Sequence, residues 1–205
     1  MVAPVRNPTN CQELFAAAAA CRTCPEMEGR RRVLSARNGD TSARLMLVAE
    51  APGARGAERT GIPFCGDASG RNFEKLLEQA GFSREEVFVT NAVICNPQTA
   101  DGTNRPPSAS ELAACSRWLR ATIELVDPQV VATLGAVALA ALGRVDAHGL
   151  ALKRDCARPQ RWMGRWLVPL YHPSPRVAAS HRRFEKQASD WQILSALVGK
   201  DFPAD

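Results

Sequence analysis

The chain has 205 residues, with 26 Lys and Arg against 21 Asp and Glu, a net charge of +5 and 45% hydrophobic residues. This is the composition of a globular domain and excludes a disordered or fibrous one. The length allows one domain, residues 1–205, with a full core and no disulfide staples, and no apolar run reaches the roughly 18 to 20 residues that cross a bilayer.

The first ten residues lack the charged start and apolar body of a signal peptide. A cytoplasmic location without membrane attachment is therefore expected, with the seven cysteines reduced. Only Lys75, Lys153, Lys186 and Lys200 are lysines. The arginine bias suits planar contacts to phosphate, although GC-rich coding would produce it too.

Asn10 with Glu13 has the form of a capping box, and a first helix is expected from Cys11 to about Ala20. It ends at Cys21-Arg-Thr-Cys24-Pro25; Arg30, Arg31 and Arg32 follow, then an Asn38-Gly39-Asp40 turn. The apolar run from Leu45 reads as a buried strand that Ala51-Pro52-Gly53 breaks, because Pro52 removes a donor and Gly53 permits a left-handed turn. A loop with Arg55, Glu58, Arg59 and the Gly61-Ile-Pro-Phe64 element leads to Gly66-Asp67-Ala-Ser-Gly70. A helix starts there, carries Phe73, Leu76, Leu77 and Ala80 at helical spacing and stops at Gly81.

Residues 87–94 form a second strand with the polar Asn91 inside it. Residues 95–107 are a proline-punctuated loop, and Ser108 with Glu111 caps a helix bearing Leu112, Cys115, Leu119 and Ile123. Residues 130–134 give a third strand, followed by an apolar helix to about Gly143. Residues 144–165 read as a basic loop or small hairpin, and residues 166–171 as a fourth strand halted by His172-Pro-Ser-Pro175. Phe184, Ala188, Trp191, Leu194 and Val198 mark the last helix. Four strand–helix alternations predict an α/β fold, a three-layer α/β/α arrangement around a central, mainly parallel four-stranded sheet. Its carboxyl edge would bring together the polar breakpoints at residues 50–64, Asn91 and His172.

Four ordered segments resemble the iron–sulfur uracil-DNA glycosylases of families 4 and 5. They are Cys21-x-x-Cys24; Glu50-Ala-Pro-Gly53 through Gly61-Ile-Pro-Phe64; Thr90-Asn91-Ala-Val-Ile-Cys95 with Cys115; and His172-Pro-Ser-Pro175. The resemblance implies hydrolysis of the N-glycosidic bond of uracil in single- or double-stranded DNA after the base flips out, by a monomer that leaves an abasic site. Family 5 extends this to deaminated bases such as hypoxanthine or xanthine. By the same resemblance Phe64 stacks on the base, Asn91 reads its amide edge, His172 donates to its O2, and Ala51 and Gly53 border it. Ser174, Arg176, Arg182 and Arg183 face DNA, with Arg176 or Val177 as the wedge in the base stack.

Three carboxylates compete to activate water, in the order Glu58, Glu50, Asp67; the loop spacing is closer to family 5, whereas Glu50 matches family 4. The resemblance makes Cys21, Cys24, Cys95 and Cys115 the ligands of a structural [4Fe-4S] cluster. Thiolates alone would suit zinc as well, and Cys11 is an alternative to Cys115. No lysine occupies a motif position, which disfavours a lyase step. The competing reading is a binding protein for uracil-containing or abasic DNA with little turnover.

Overall fold

The computed structural model describes residues 8–199; most of the stretch read for a signal segment, and Lys200, lie outside them. Five strands, β1 (Leu45–Ala49), β2 (Val87–Asn91), β3 (Val130–Leu134), β4 (Gln160–Trp162) and β5 (Arg165–Leu170), form one sheet in the order β2-β1-β3-β5-β4. The first three and β5 run parallel, and β4 is antiparallel to β5.

The expected four-stranded sheet therefore gains a fifth strand. It comes from the segment read as a loop or small hairpin. Met163 and Gly164 both adopt left-handed backbone (φ 48 and 73), the geometry of a two-residue turn that matches strand twist. Three residues are too few to display alternation, and Met163 is not a turn-forming residue type, so the strand left little trace in the sequence.

The helices are α1 (Cys11–Ala19), α2 (Ala57–Thr60), α3 (Ala68–Gln79), α4 (Ala109–Val126), α5 (Ala136–Val145), α6 (Leu152–Asp155), α7 (Pro175–Ser180) and α8 (Phe184–Leu197). Side chains alternate across the sheet with period two. Met46, Val48, Phe88, Val131 and Leu167 pack with α1, α4 and α5. Leu45, Leu47, Val89, Ala132 and Val168 pack with α3 and α8. Covering both faces explains why the parallel strands read as unbroken apolar runs rather than alternating ones. Among the described residues no helix is long and apolar enough to cross a membrane.

Local signals set the helix starts. Ser108 and Glu111 close a reciprocal box on α4, with Ser108 N–H donating to Glu111 Oε2 at 2.7 Å and Glu111 N–H to Ser108 Oγ at 3.2 Å. On α1, Asn10 Oδ1 accepts from Glu13 N–H at 2.9 Å, but the Glu13 carboxylate reaches Thr9 N–H instead. At the β2 edge, Asn38 Nδ2 donates to Val89 O at 2.7 Å and Gly39 bridges to Phe88. Strand order reverses on the two sides of β1, which opens a crevice at the carboxyl ends of β1 and β3.

Trp191 on α8 is fully buried and meets the Phe73 ring edge-on at 5.7 Å. Trp191→Ala should cost about 3–5 kcal/mol of unfolding free energy, read by chemical denaturation.

Candidate functional site

A cavity of about 490 Å³ occupies that crevice. Glu50, Ala51 and Gly53 enter it from the loop after β1, Asn91 from the end of β2, and His172 and Ser174 from the turn after β5. Phe64 and Asp67 close it from the loop before α3.

Phe64 lies face to face on Phe73, with centroids 4.4 Å apart and planes 5° from parallel, and 5.5 Å from the tilted His172 ring. Its backbone is left-handed (φ 54), which is costly for an aromatic residue. The loop holds this shape because α3 offers a bare backbone at Gly70, where a Cβ would stand 2.2 Å from Phe64 O. Arg84 Nη2 donates to Pro63 O at 3.0 Å from the other side, and Asn72 Nδ2 donates to Pro173 O at 2.9 Å, tying α3 to the His172 turn.

Asn91 is 4% exposed, and its Nδ2 is buried without a hydrogen-bond partner. Such a donor is expensive to leave unmade. In the same cavity, burial pushes the His172 imidazole down to about 4, with Asp67 working in the opposite direction. The ring is therefore neutral at pH 7. Its Nδ1 accepts from Ser174 N–H at 3.1 Å, which leaves the ring proton on Nε2 as a donor.

The carboxylates separate. Glu50 lines the cavity, and burial holds its carboxyl above the usual carboxylate range. Asp67 also lines it, as the amino-terminal cap of α3 accepting from Gly70 N–H at 2.8 Å. Glu58, first in the order expected from the sequence, does not border the cavity. The single turn of α2 swings it toward Arg31, whose backbone N–H donates to Glu58 Oε1 at 3.2 Å.

The arginines separate as well. Arg176 borders the cavity with Val177. Arg183 is exposed at the start of α8. Arg182 forms a bidentate pair with the buried Asp190, through Nε at 2.7 Å and Nη2 at 2.6 Å, so its planar face is already occupied.

Residues 95–107 contribute more than their sequence suggested. Asn96 Nδ2 donates to Pro52 O and, at 2.9 Å, to Asn104 Oδ1, which also accepts from Ala54 N–H at 3.1 Å. Arg105, beside the cavity, is fixed by a bidentate pair to Glu111 at 2.8 and 2.5 Å. Two asparagines flanking a proline-rich loop were the available signal, but their partners lie about 50 residues away in the chain.

A second, small void is bounded by Cys21, Cys24, Cys95 and Cys115 together with Met27 and Arg32. Cys11 is not among its walls. Burial, reinforced by the neighbouring thiol of Cys115, pushes Cys95 up to about 12, and burial pushes Cys115 up to about 11. Burial also acts on Cys21, but hydrogen bonds from Thr23 and Arg117 bring it below its usual value. Four thiols that oppose one another's ionisation suit a shared cationic centre. Among the described residues, no group of three or more His, Cys, Asp or Glu side chains is placed to hold a metal ion. The four cysteines nevertheless border one void.

A flat aromatic ring, an unpaired amide and a neutral imidazole thus share one cavity at the carboxyl edge of the mainly parallel sheet of an α/β protein. Residues 36–197 match the model of the uracil DNA glycosylase superfamily. A type-4 uracil-DNA glycosylase of Thermotoga maritima is 36% identical over 155 residues, covering 75% of this chain and 76% of that protein. A type-5 uracil-DNA glycosylase of Thermus thermophilus is 36% identical over 191 residues, covering 76% and 83%. A type-4 enzyme of Archaeoglobus fulgidus is 29% identical, covering 80% and 82%. The chain belongs to the uracil-DNA glycosylase superfamily.

The unpaired Asn91 amide predicts a stability signature. Asn91→Leu removes a buried, unsatisfied donor, so thermal or denaturant unfolding of the free protein should be unchanged or shifted up by about 1 kcal/mol. A loss above about 2 kcal/mol would show that the amide is satisfied in the free protein.

Proposed function

We propose that this chain is a monofunctional uracil-DNA glycosylase of base excision repair, which hydrolyses the N-glycosidic bond of a flipped uracil and leaves an abasic site. The observation that carries this reading is the unpartnered Asn91 Nδ2, buried in the same cavity as the Phe64 floor and the His172 donor. A heterocycle lying on Phe64 would present its edge to Asn91, whose Nδ2 can donate to uracil O4 while Oδ1 accepts from N3–H. Cytosine offers an amino group and a bare ring nitrogen at those positions, so both bonds would be lost and a buried donor left unpaired. Single- and double-stranded DNA both satisfy this requirement, because only the extruded nucleotide enters.

As the N1–C1′ bond breaks, its electron pair moves onto the base and positive charge grows on the sugar. His172 Nε2–H would donate to the developing O2 anion without losing its proton. Glu50 is the carboxylate we assign to the sugar side: it would accept a proton from the water whose oxygen bonds to C1′, and its charge would favour the cationic transition state. Asp67 stands second, as a carboxylate already held by the amino terminus of α3. Ala51 and Gly53 leave room for the extruded base beside Glu50, and Ser174 and Arg176 at the rim of the cavity would meet the DNA strand, with Arg176 or Val177 filling the gap left in the stack. Arg183 remains a candidate phosphate contact; Arg182 serves to hold the α7–α8 corner through Asp190.

The four thiols Cys21, Cys24, Cys95 and Cys115 would hold a [4Fe-4S] cluster. When bound, it would supply a cross-link between the end of α1, the loop after β2 and α4, a structural rather than a chemical contribution. Iron and acid-labile sulfide in equal amounts should accompany the purified chain. Cys115→Ser should lose most of its iron and Cys11→Ser should retain it; the reverse result would exchange the two assignments.

Single-turnover release of uracil from a labelled duplex tests the enzyme. Glu50→Gln should slow it by at least about 100-fold and Glu58→Gln by less than about fivefold. Tight binding by the wild-type chain without base release would instead support the binding-protein reading. The pH profile carries a sign. Glu50 must be ionised, and burial raises its pKa above 4.5, so the rate should fall on the acid side at a pH above that value. His172 stays neutral down to about 4 and adds no step above it. Its effect on stability runs in the same direction: the unfolded imidazole protonates below about 6.5 and the folded one only near 4, so stability is lost as pH falls through that window.

A further inference from the structure

We propose that Arg31 and Arg37, with Arg59 beside them, form a phosphate clamp for the backbone of the bound DNA strand, next to the base cavity; this rests on reading the chain as a DNA glycosylase. The Nη1 atoms of Arg31 and Arg37 lie 2.9 and 3.3 Å from the place a Cβ on Gly61 would take. The two nitrogens are therefore at most about 6 Å apart, a separation at which two guanidinium charges repel unless an anion lies between them. Arg59 Nη2 stands over the same loop, 3.3 Å from the corresponding point at Gly66. All three side chains are exposed.

No acid neutralises them among the described residues. Arg105, Arg120, Arg154, Arg165 and Arg182 each pair with a carboxylate, whereas Arg31, Arg37 and Arg59 enter no such pair. Glu58, the acid of this loop, accepts from the backbone N–H of Arg31 and not from its guanidinium. It thereby fixes the chain from which Arg31 projects. Within the Arg30-Arg31-Arg32 run, Arg32 turns inward to the carbonyls of Cys21 and Arg30, at 3.0 and 2.5 Å, and Arg31 alone joins the cluster at Gly61.

Location decides what the anion is. Gly61 is three residues from Phe64, so at most about 11 Å of chain separates the clamp from the floor under the base. That distance places it within reach of the phosphates flanking an extruded nucleotide. Two converging guanidinium forks suit one phosphate, with Arg59 reaching its neighbour.

The test measures affinity of the full chain for a uracil-free duplex by fluorescence anisotropy across a potassium chloride series. Arg31→Ala with Arg37→Ala should flatten the plot of log affinity against log salt by about 0.9, the slope of one phosphate contact. It should also weaken binding about tenfold at the lowest salt. Arg31→Lys with Arg37→Lys should keep the wild-type slope, since charge is retained. Should the alanine pair fail to fold, Arg37→Gln with Arg59→Gln carries the same expectation. A wild-type slope in the neutral pairs, or an equally flattened slope in the lysine pair, would overturn the clamp. If the wild-type chain binds duplex yet releases no uracil, the glycosylase reading fails while the salt slopes still decide the clamp.

Discussion

The contact on which the site depends is the face-to-face seat of Phe64 on Phe73. A left-handed aromatic residue is strained by about 1–3 kcal/mol and persists only where its surroundings over-determine it. Here Gly70 admits the Phe64 carbonyl, Arg84 holds Pro63, and Phe73 is wedged against Trp191. The floor of the cavity is thus the outermost layer of the core between α3, α8 and the sheet. That packing fixes the position of the floor relative to the Asn91 and His172 side chains that share the cavity.

The cavity combines neutral polar groups with carboxylates. Asn91 and the neutral His172 bring uncharged hydrogen-bonding groups to the cavity, while the Glu50 and Asp67 side chains border the same space. Under the function proposed above, carboxylates there would oppose entry of an anion but favour a sugar that becomes cationic. Arg31, Arg37 and Arg59 are not among the residues lining the cavity, so in the clamp proposed above they would meet phosphates without neutralising its carboxylates. Separation of this kind would let one small site handle a polyanion and a cationic transition state together.

Much of this was legible in the sequence. Strands β1, β2, β3 and β5 announced themselves because helices bury both their faces, and the breakpoints at Pro52 and His172 followed from where the apolar runs stopped; the second run continues to Ile94 in apolar residues, so the end of β2 at Asn91 was not legible. The four cysteines drawn together by resemblance to a known family do converge on one void. What could not be read was direction. Glu58 and Glu50 are eight residues apart in similar surroundings, and only the turn of α2, too short to leave a periodic signal, sends Glu58 to Arg31. Likewise, Arg182 and Arg183 are equivalent on paper; the pairing with Asp190, one helix later, distinguishes them. The fifth strand escaped because a three-residue edge strand has no pattern to show.

Those edges carry a consequence for the molecule outside its chemistry. A sheet margin with free N–H and C=O groups is a template for another chain, and proteins suppress it with short, charged or covered strands. Here β4 is three residues long with Arg161 at its centre, and the far margin at β2 is occupied by Asn38 and Gly39. Neither border offers a long, flat, unsatisfied row. Fibril-like or edge-to-edge growth is thereby denied its usual starting point, even though four adjacent parallel strands form the apolar centre of the fold.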